Sequence, residues 1–292
     1  MAIETNEETP NTPVAVEGPR GPIRLKWHKL RTRLAEAPFK RSNLALGWQA
    51  GASLEVDIMA TADGRFAVLH DPTLGPSTTG HGRVSDLSMS SMAGFLHRDA
   101  RGDGDPDAPV LSLAELAAPL RTLPKAPSAN LQLDLKLLDG RPLRDSAVAD
   151  AAAAVAGLTD AIIVSSHHLD DARRLVAAMP GAQLGYDPML AVSRQPELRD
   201  PERLLRHIER RKASVSLAYL SFDAIVAAER QSFPLVSRLL DLGIETDAWT
   251  VNPGRGTDDA TLRTLVEARV RQITTDAPSE IFSLIRSLLL NS

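Results

Sequence analysis

The sequence predicts an α/β chain closed into a (β/α)8 TIM barrel, with a small insertion after the second barrel strand. Three observations lead there. Short β-rich runs alternate with amphipathic stretches from residue 23 onward, a pattern that builds a parallel sheet. Polar and charged side chains collect at the C-terminal ends of those runs, where such a barrel carries its active site. One tight turn shows which strand is surplus.

The β-rich runs cover residues 23–28, 53–58, 66–70, 131–137, 161–166, 182–186, 214–219, 245–251 and 271–275. Helical patterns fall at 42–50, 143–156, 169–178, 201–212, 222–242, 258–268 and 279–290. Nine strands exceed the barrel by one. Parallel neighbours need a crossover of about a dozen residues or more. Only Met59 to Arg65 separate the second run from the third, and they include Ala62-Asp63-Gly64, a hairpin-type turn. Residues 66–70 are therefore expected to run antiparallel and to open an insertion spanning about residues 60–110, rejoined through a helix at 112–120. Alternation alone serves an open doubly wound sheet nearly as well. No Gly-x-Gly-x-x-Gly follows the first strand, which weighs against a dinucleotide site.

Residues 22–292 read as one barrel domain, and residues 1–21, acidic and then rich in Pro, Thr and Gly, as a disordered tail. That tail has neither the basic start nor the apolar stretch of a signal peptide, and no run is long enough for a membrane span. The expected location is cytoplasmic. With no cysteine in the chain, disulfides, thiolate metal sites and a cysteine nucleophile are excluded. A net charge of −4 provides no general attraction for nucleic acid or an anionic membrane.

The strand ends carry the chemistry. In Glu55-Val56-Asp57 the two carboxylates share a strand face, and Asp134-Leu135-Lys136 repeats the pattern on the next barrel strand. Three converging carboxylates call for a cation, and hard oxygen ligands suit Mg²⁺ or Ca²⁺. The competing reading is that Lys136 and a helix-side arginine neutralise them. His28 ends the first barrel strand and His70 the hairpin strand. A lone histidine at a strand end is usually structural, but two flanking an acidic cluster suit general acid–base catalysis. His81, His97, His167, His168 and His207 lack that setting and read as structural or surface residues.

The ordered set Glu55-Val-Asp57, Thr61-Ala-Asp-Gly64, Val68-Leu-His-Asp71-Pro-Thr-Leu74, Thr78-Thr-Gly80, Gly82-Arg-Val, Leu133-Asp-Leu-Lys136, Val164-Ser-Ser166, Trp249-Thr-Val-Asn252 and Thr274-Thr-Asp-Ala-Pro278 resembles the glycerophosphodiester phosphodiesterase family. The resemblance spans nearly everything after about residue 23. It implies a barrel with an insertion after the second strand and one divalent cation, Mg²⁺ or Ca²⁺, on Glu55, Asp57 and Asp134. It also implies acid–base roles for His28 and His70, a phosphate contact for Lys136, and a place in the substrate pocket for Trp249. The chain departs from the family pattern at His28-Lys29-Leu30, where the family has His-Arg-Gly; Lys29 keeps a cation but not the bidentate grip of arginine. Ser42-Asn43-Leu44 replaces Glu-Asn-Thr, Asp134 replaces a Glu, and Gly75-Pro76 replaces an Asp-Arg. The implied reaction is hydrolysis of a small glycerol or sugar phosphodiester to an alcohol and a phosphomonoester. Three rivals stand beside it: a hydrolase of agrocinopine-like sugar phosphodiesters, a phospholipase D-like lyase releasing a cyclic phosphate, and an inactive barrel that only binds phosphorylated ligands.

Overall fold

Hydrogen bonding joins eight parallel strands into a ring in the computed structural model, which describes residues 12–137, 142–254 and 256–290. The strands in chain order are β1 (Ala15–Gly18), β2 (Gly21–Trp27), β3 (Ser53–Ala60), β4 (Phe66–Val68), β5 (Leu96–Arg98), β6 (Gly104–Pro109), β7 (Asn130–Lys136), β8 (Ile162–Ser166), β9 (Gln183–Tyr186), β10 (Val215–Ser221), β11 (Glu245–Trp249) and β12 (Gln272–Thr275). The ring runs β2-β3-β7-β8-β9-β10-β11-β12 and closes through β12 against β2. The expected (β/α)8 barrel is the fold.

Alternation along each strand sorts the side chains. Leu54, Val56 and Ile58 on β3 and Leu131, Leu133 and Leu135 on β7 are all fully or almost fully buried and join the core shared with the helices. Glu55, Asp57, Gln132 and Asp134 take the other face and line the barrel mouth. The helix Arg41–Ala50 packs closely because residue 47 is glycine. A Cβ there would stand 2.6 Å from Leu54 and 3.0 Å from the Trp27 ring, inside any normal carbon–carbon contact.

β4 pairs antiparallel with β3, with Ile58 opposite Val68 and Ala60 opposite Phe66, so the surplus strand lies outside the ring as the turn chemistry required. The insertion it opens has its own apolar centre, Met59, Ala67, Leu69, Leu74, Val84, Met89, Met92 and Val110. The β5–β6 hairpin within it was not anticipated.

Other differences have local causes. Residues 15–18, expected in a disordered tail, form β1 antiparallel to β2, with Val16 buried in the core. Only three apolar residues in a row, Val14 to Val16, stand between Pro13 and Glu17, too short a run to signal a strand. Residues 1–11 of that tail lie outside the described residues. The helix expected at 222–242 is two, Phe222–Arg230 and Leu235–Asp241. Pro234 cannot continue a helix and disfavours helical backbone at the residue before it, and Ser232 takes a φ of 56° in the break. The helix at 112–120 is a short α segment, Leu113–Ala117, followed by a 3₁₀ turn beginning at Pro119. Among the described residues no helix is long and apolar enough to cross a membrane.

Candidate active site

The barrel mouth encloses a cleft of about 280 Å³ lined by His28, Lys29, Glu55, Asp57, His70, Asp134, Lys136 and Trp249 among others. All eight residues that the sequence singled out therefore meet in one place. β3 and β7 run in register with Asp57 opposite Asp134, so two of the carboxylates face each other across one strand pair. One ligand oxygen from each of Glu55, Asp57 and Asp134 lies within 4.8 Å of the others. At that spacing each pair repels by about 3–4 kcal/mol at an effective dielectric of 20.

Two lysines offset part of that charge. Lys136 Nζ bonds Asp134 Oδ2 and stands 3.2 Å from Asp57 Oδ1. Lys29 Nζ lies 3.7 Å from Asp57 Oδ2. Burial alone would raise the Asp57 carboxyl, but Lys136 and Lys29 outweigh it and hold the group at about 2. Asp134 is likewise lowered: burial opposes the shift and Lys136 drives it. The mirror effect holds on Lys136, where burial is overcome by Asp134 and Asp57 and the ammonium is strengthened. Glu55 takes the remaining repulsion. Burial, then the charges of Asp57 and Asp134, push it to about 8, although the Lys29 backbone N–H donates to its Oε2 at 2.7 Å. Asp57 Oδ2 is buried and accepts no hydrogen bond.

The turn after β2 holds Lys29 and Leu30 at φ 53° and 57°, the left-handed region that favours glycine. That backbone aims the Lys29 N–H at Glu55. His28, at the head of the turn, has Nδ1 2.9 Å from Asp276 Oδ1 and Nε2 4.0 Å from Glu55 Oε2. Asp276 also receives Arg31 Nη1 at 3.2 Å and Asn252 Nδ2 at 2.6 Å. Burial would raise its carboxyl, but the His28 hydrogen bond and the nearby cations pull it well below the usual range. Burial lowers the His28 imidazole, and Asp276 opposes that in part. His70 arrives from the insertion. The Leu69 N–H donates to the Asp57 carbonyl at 3.1 Å, which ties the next residue to the mouth, and His70 Nδ1 meets Asp71 Oδ1 at 2.8 Å.

Several lining residues were not singled out from the sequence. Lys26 is 1% exposed and pairs with Asp247 at 2.8 Å beneath the mouth. It also bonds Gln132 and lies 4.4 Å over the Tyr219 ring. Gln132 Nε2 donates to Ser165 Oγ at 2.8 Å, and Ser165 Oγ donates to Asp134 Oδ1 at 2.6 Å. A chain of buried polar groups thus runs from Asp247 through Lys26, Gln132 and Ser165 to the acidic cluster. Alternate polar positions on β2, β7 and β11 were its only signal in the sequence. His167, read from sequence as structural or surface, lines the cleft beside Asp187, because β8 ends one residue before it and delivers it to the mouth. His97 and His207 are buried as that reading allowed.

A closed parallel barrel that gathers carboxylates, lysines and histidines at the C-terminal ends of its strands has the build of a TIM-barrel enzyme. The model of the glycerophosphoryl diester phosphodiesterase family matches residues 47–280, and the chain belongs to that family; it is a phosphoric diester hydrolase. The match begins after His28 and Lys29, so those two residues rest on the geometry alone. No curated protein matches the sequence. Among solved structures, the glycerophosphodiester phosphodiesterase of Agrobacterium tumefaciens str. C58 is 22% identical, with a TM-score of 0.62 over 91% of this chain and 99% of that one. A Silicibacter pomeroyi protein assigned as a glycerophosphoryl diester phosphodiesterase is 20% identical, with a TM-score of 0.68 over 91% and 94%. The Oleispira antarctica phosphodiesterase, solved with the product sn-glycerol-3-phosphate, is 18% identical, with a TM-score of 0.63 over 90% and 96%. At these identities the likeness is one of fold.

Proposed function

We propose that the protein hydrolyses a small glycerol or sugar phosphodiester with the help of one divalent cation, Mg²⁺ or Ca²⁺, held by Glu55, Asp57 and Asp134. The carrying observation is the charge of the mouth. Two buried carboxylates, Glu55 and Asp57, and the half-buried Asp134 face two lysines that are not consumed elsewhere, Lys29 and Lys136, while Lys26 is committed to Asp247. With all three carboxylates ionised the cluster lacks one positive charge, which is why Glu55 holds a proton up to about 8; a divalent cation would take that proton's place and leave an excess of one, matched to a phosphodiester monoanion. The donor set fits, being all oxygen, and Asp57 Oδ2, which accepts no hydrogen bond, is a ready ligand atom. Once bound, the cation would supply charge neutralisation at a phosphoryl oxygen.

The chain's own groups do the rest. Lys29 and Lys136 hold the phosphate and offset charge that builds on its oxygens. Asp276 accepts from His28 Nδ1, which leaves the Nε2 lone pair toward the cleft. With the imidazole lowered by burial, His28 serves as the base that takes a proton from the attacking water as its oxygen bonds to phosphorus. His70, oriented through Nδ1 by Asp71, protonates the departing alkoxide. Trp249 forms part of the substrate wall.

The test is a phosphodiester panel, including glycerophosphodiesters, run with added Mg²⁺ or Ca²⁺ and with EDTA, with products identified by ³¹P NMR. Metal-dependent release of an open phosphomonoester is expected. A cyclic phosphate would reassign the attacking hydroxyl to the substrate, as in the lyase alternative, and full activity in EDTA would overturn the metal role.

A further inference from the structure

Beyond the acidic cluster, the next arc of the rim carries a second polar pair that the chemistry above leaves unused. β8 and β9 run parallel with Ser166 opposite Tyr186, so the residues that follow them, His167 and Asp187, emerge side by side. His167 Nδ1 lies 3.2 Å from the Asp187 carbonyl and 3.5 Å from Asp187 Oδ1. The Asp187 N–H donates to Ser166 O at 3.3 Å, and Asp187 Oδ1 accepts from the Met189 N–H at 2.8 Å. The pair is fixed by backbone on both sides, and both residues line the catalytic cleft.

We infer that His167 and Asp187 form the subsite for the alcohol released from the phosphodiester, and that they select an alcohol rich in hydroxyls, a polyol or a sugar. This rests on the phosphodiester hydrolysis proposed above. Among the described residues, His167 Nε2 and Asp187 Oδ2 carry no hydrogen bond and are the atoms available to hydroxyl groups. Burial raises the Asp187 carboxyl to about 8, with the Met189 N–H opposing, so near neutrality it donates as well as accepts and does not repel the substrate anion. A quaternary ammonium alcohol would need open aromatic faces. Among the described residues the cleft offers Tyr219 and Trp249, and Lys26 already covers the Tyr219 ring, which leaves a single indole face and no aromatic cage. A long acyl chain would need an apolar wall, which this lining of charged and polar groups does not provide.

The experiment compares kcat/KM for glycerophosphoinositol, glycerophosphocholine and bis(4-nitrophenyl) phosphate, using metal-supplemented wild-type protein, His167→Phe and Asp187→Asn. Wild type should favour glycerophosphoinositol over glycerophosphocholine. Either substitution should lower the ratio of glycerophosphoinositol to bis(4-nitrophenyl) phosphate activity by about 5–10-fold, the effect of losing one hydrogen bond to a hydroxyl, mainly through KM. His28→Ala should depress all three substrates together and leave the ratio in place. Asp187→Asn keeps an acceptor for the Met189 N–H and replaces Oδ2 by an amide nitrogen that cannot accept from a hydroxyl, so its result stands even where His167→Phe perturbs the loop. A wild-type preference for glycerophosphocholine, or an unchanged ratio in both variants, would overturn the subsite while leaving the hydrolase reading intact. Failure of wild type on every diester would overturn the hydrolase reading and the subsite with it.

Discussion

His28 and His70 show how much of a catalytic group's behaviour is set by its neighbour. Each has Nδ1 held by a carboxylate, Asp276 in one case and Asp71 in the other, which fixes the ring and presents Nε2. Replacing either histidine with Ala should lower kcat by about 10²–10⁴-fold, while calorimetric metal binding stays intact, since neither is a proposed ligand. Loss of the metal in His28→Ala would make His28 a ligand instead. Asp276→Asn should lower kcat by about 10²-fold or more with KM little changed, because the imidazole loses the partner that fixes its tautomer. The sequence made the histidines visible by their place at strand ends. Asp276 sits at a strand end as well, but nothing local said that it faces a residue 248 positions earlier; only closure of the ring between β12 and β2 brings them together. Another histidine bears on stability. His97 is fully buried with neither ring nitrogen bonded, and burial holds it at about 4. Its unfolded value near 6.5 is higher, so the unfolded chain binds the proton first as pH falls. The proton-linked cost of His97 is therefore absent above about pH 6.5 and grows progressively down to about pH 4, to about 3 kcal/mol at most. Denaturant melts at pH 7 and pH 5 should show this loss reduced in His97→Leu; an equal loss in both proteins would show that folding does not hold the His97 proton off.

At the scale of strands, the barrel interior was only half legible. Apolar alternation placed every barrel strand within a few residues, since side-chain period and burial are local properties. The polar filling was not legible, because Lys26, Gln132 and Asp247 are each ordinary in isolation and acquire meaning only as partners across β2, β7 and β11. Close packing was hidden for the same reason. Gly185 on β9 is where the Tyr219 ring of β10 lies: a Cβ there would fall 2.3 Å from Tyr219 Cε2. Gly185→Ala should destabilise the protein by about 1–3 kcal/mol through overpacking. Adding Tyr219→Leu should recover part of that loss, so the double variant is less destabilised than the sum of the two singles. Strictly additive melting data would mean that the two side chains do not share the space.

For the molecule as a whole, a cation that binds only the folded mouth should stabilise the fold. At a hundredfold excess over its dissociation constant the gain is about 2.7 kcal/mol, and Tm should rise by several degrees with Mg²⁺ or Ca²⁺ and fall back with EDTA. Asp57→Asn should abolish the increment; a Tm indifferent to both ions in wild type would count against the site. The insertion has a consequence of another kind. His70 rides on a segment whose apolar centre, around Leu69, Leu74, Val84 and Met92, is separate from that of the barrel. Two cores of unequal size open at different free energies, the smaller first. On warming, the segment carrying His70 should detach while the ring of strands is still intact, and activity should vanish several degrees below the calorimetric transition. Amide exchange in that range should be fast for residues 69–92, which hold that smaller centre, and slow for β7, so that this enzyme's working temperature is set by its smallest cooperative unit.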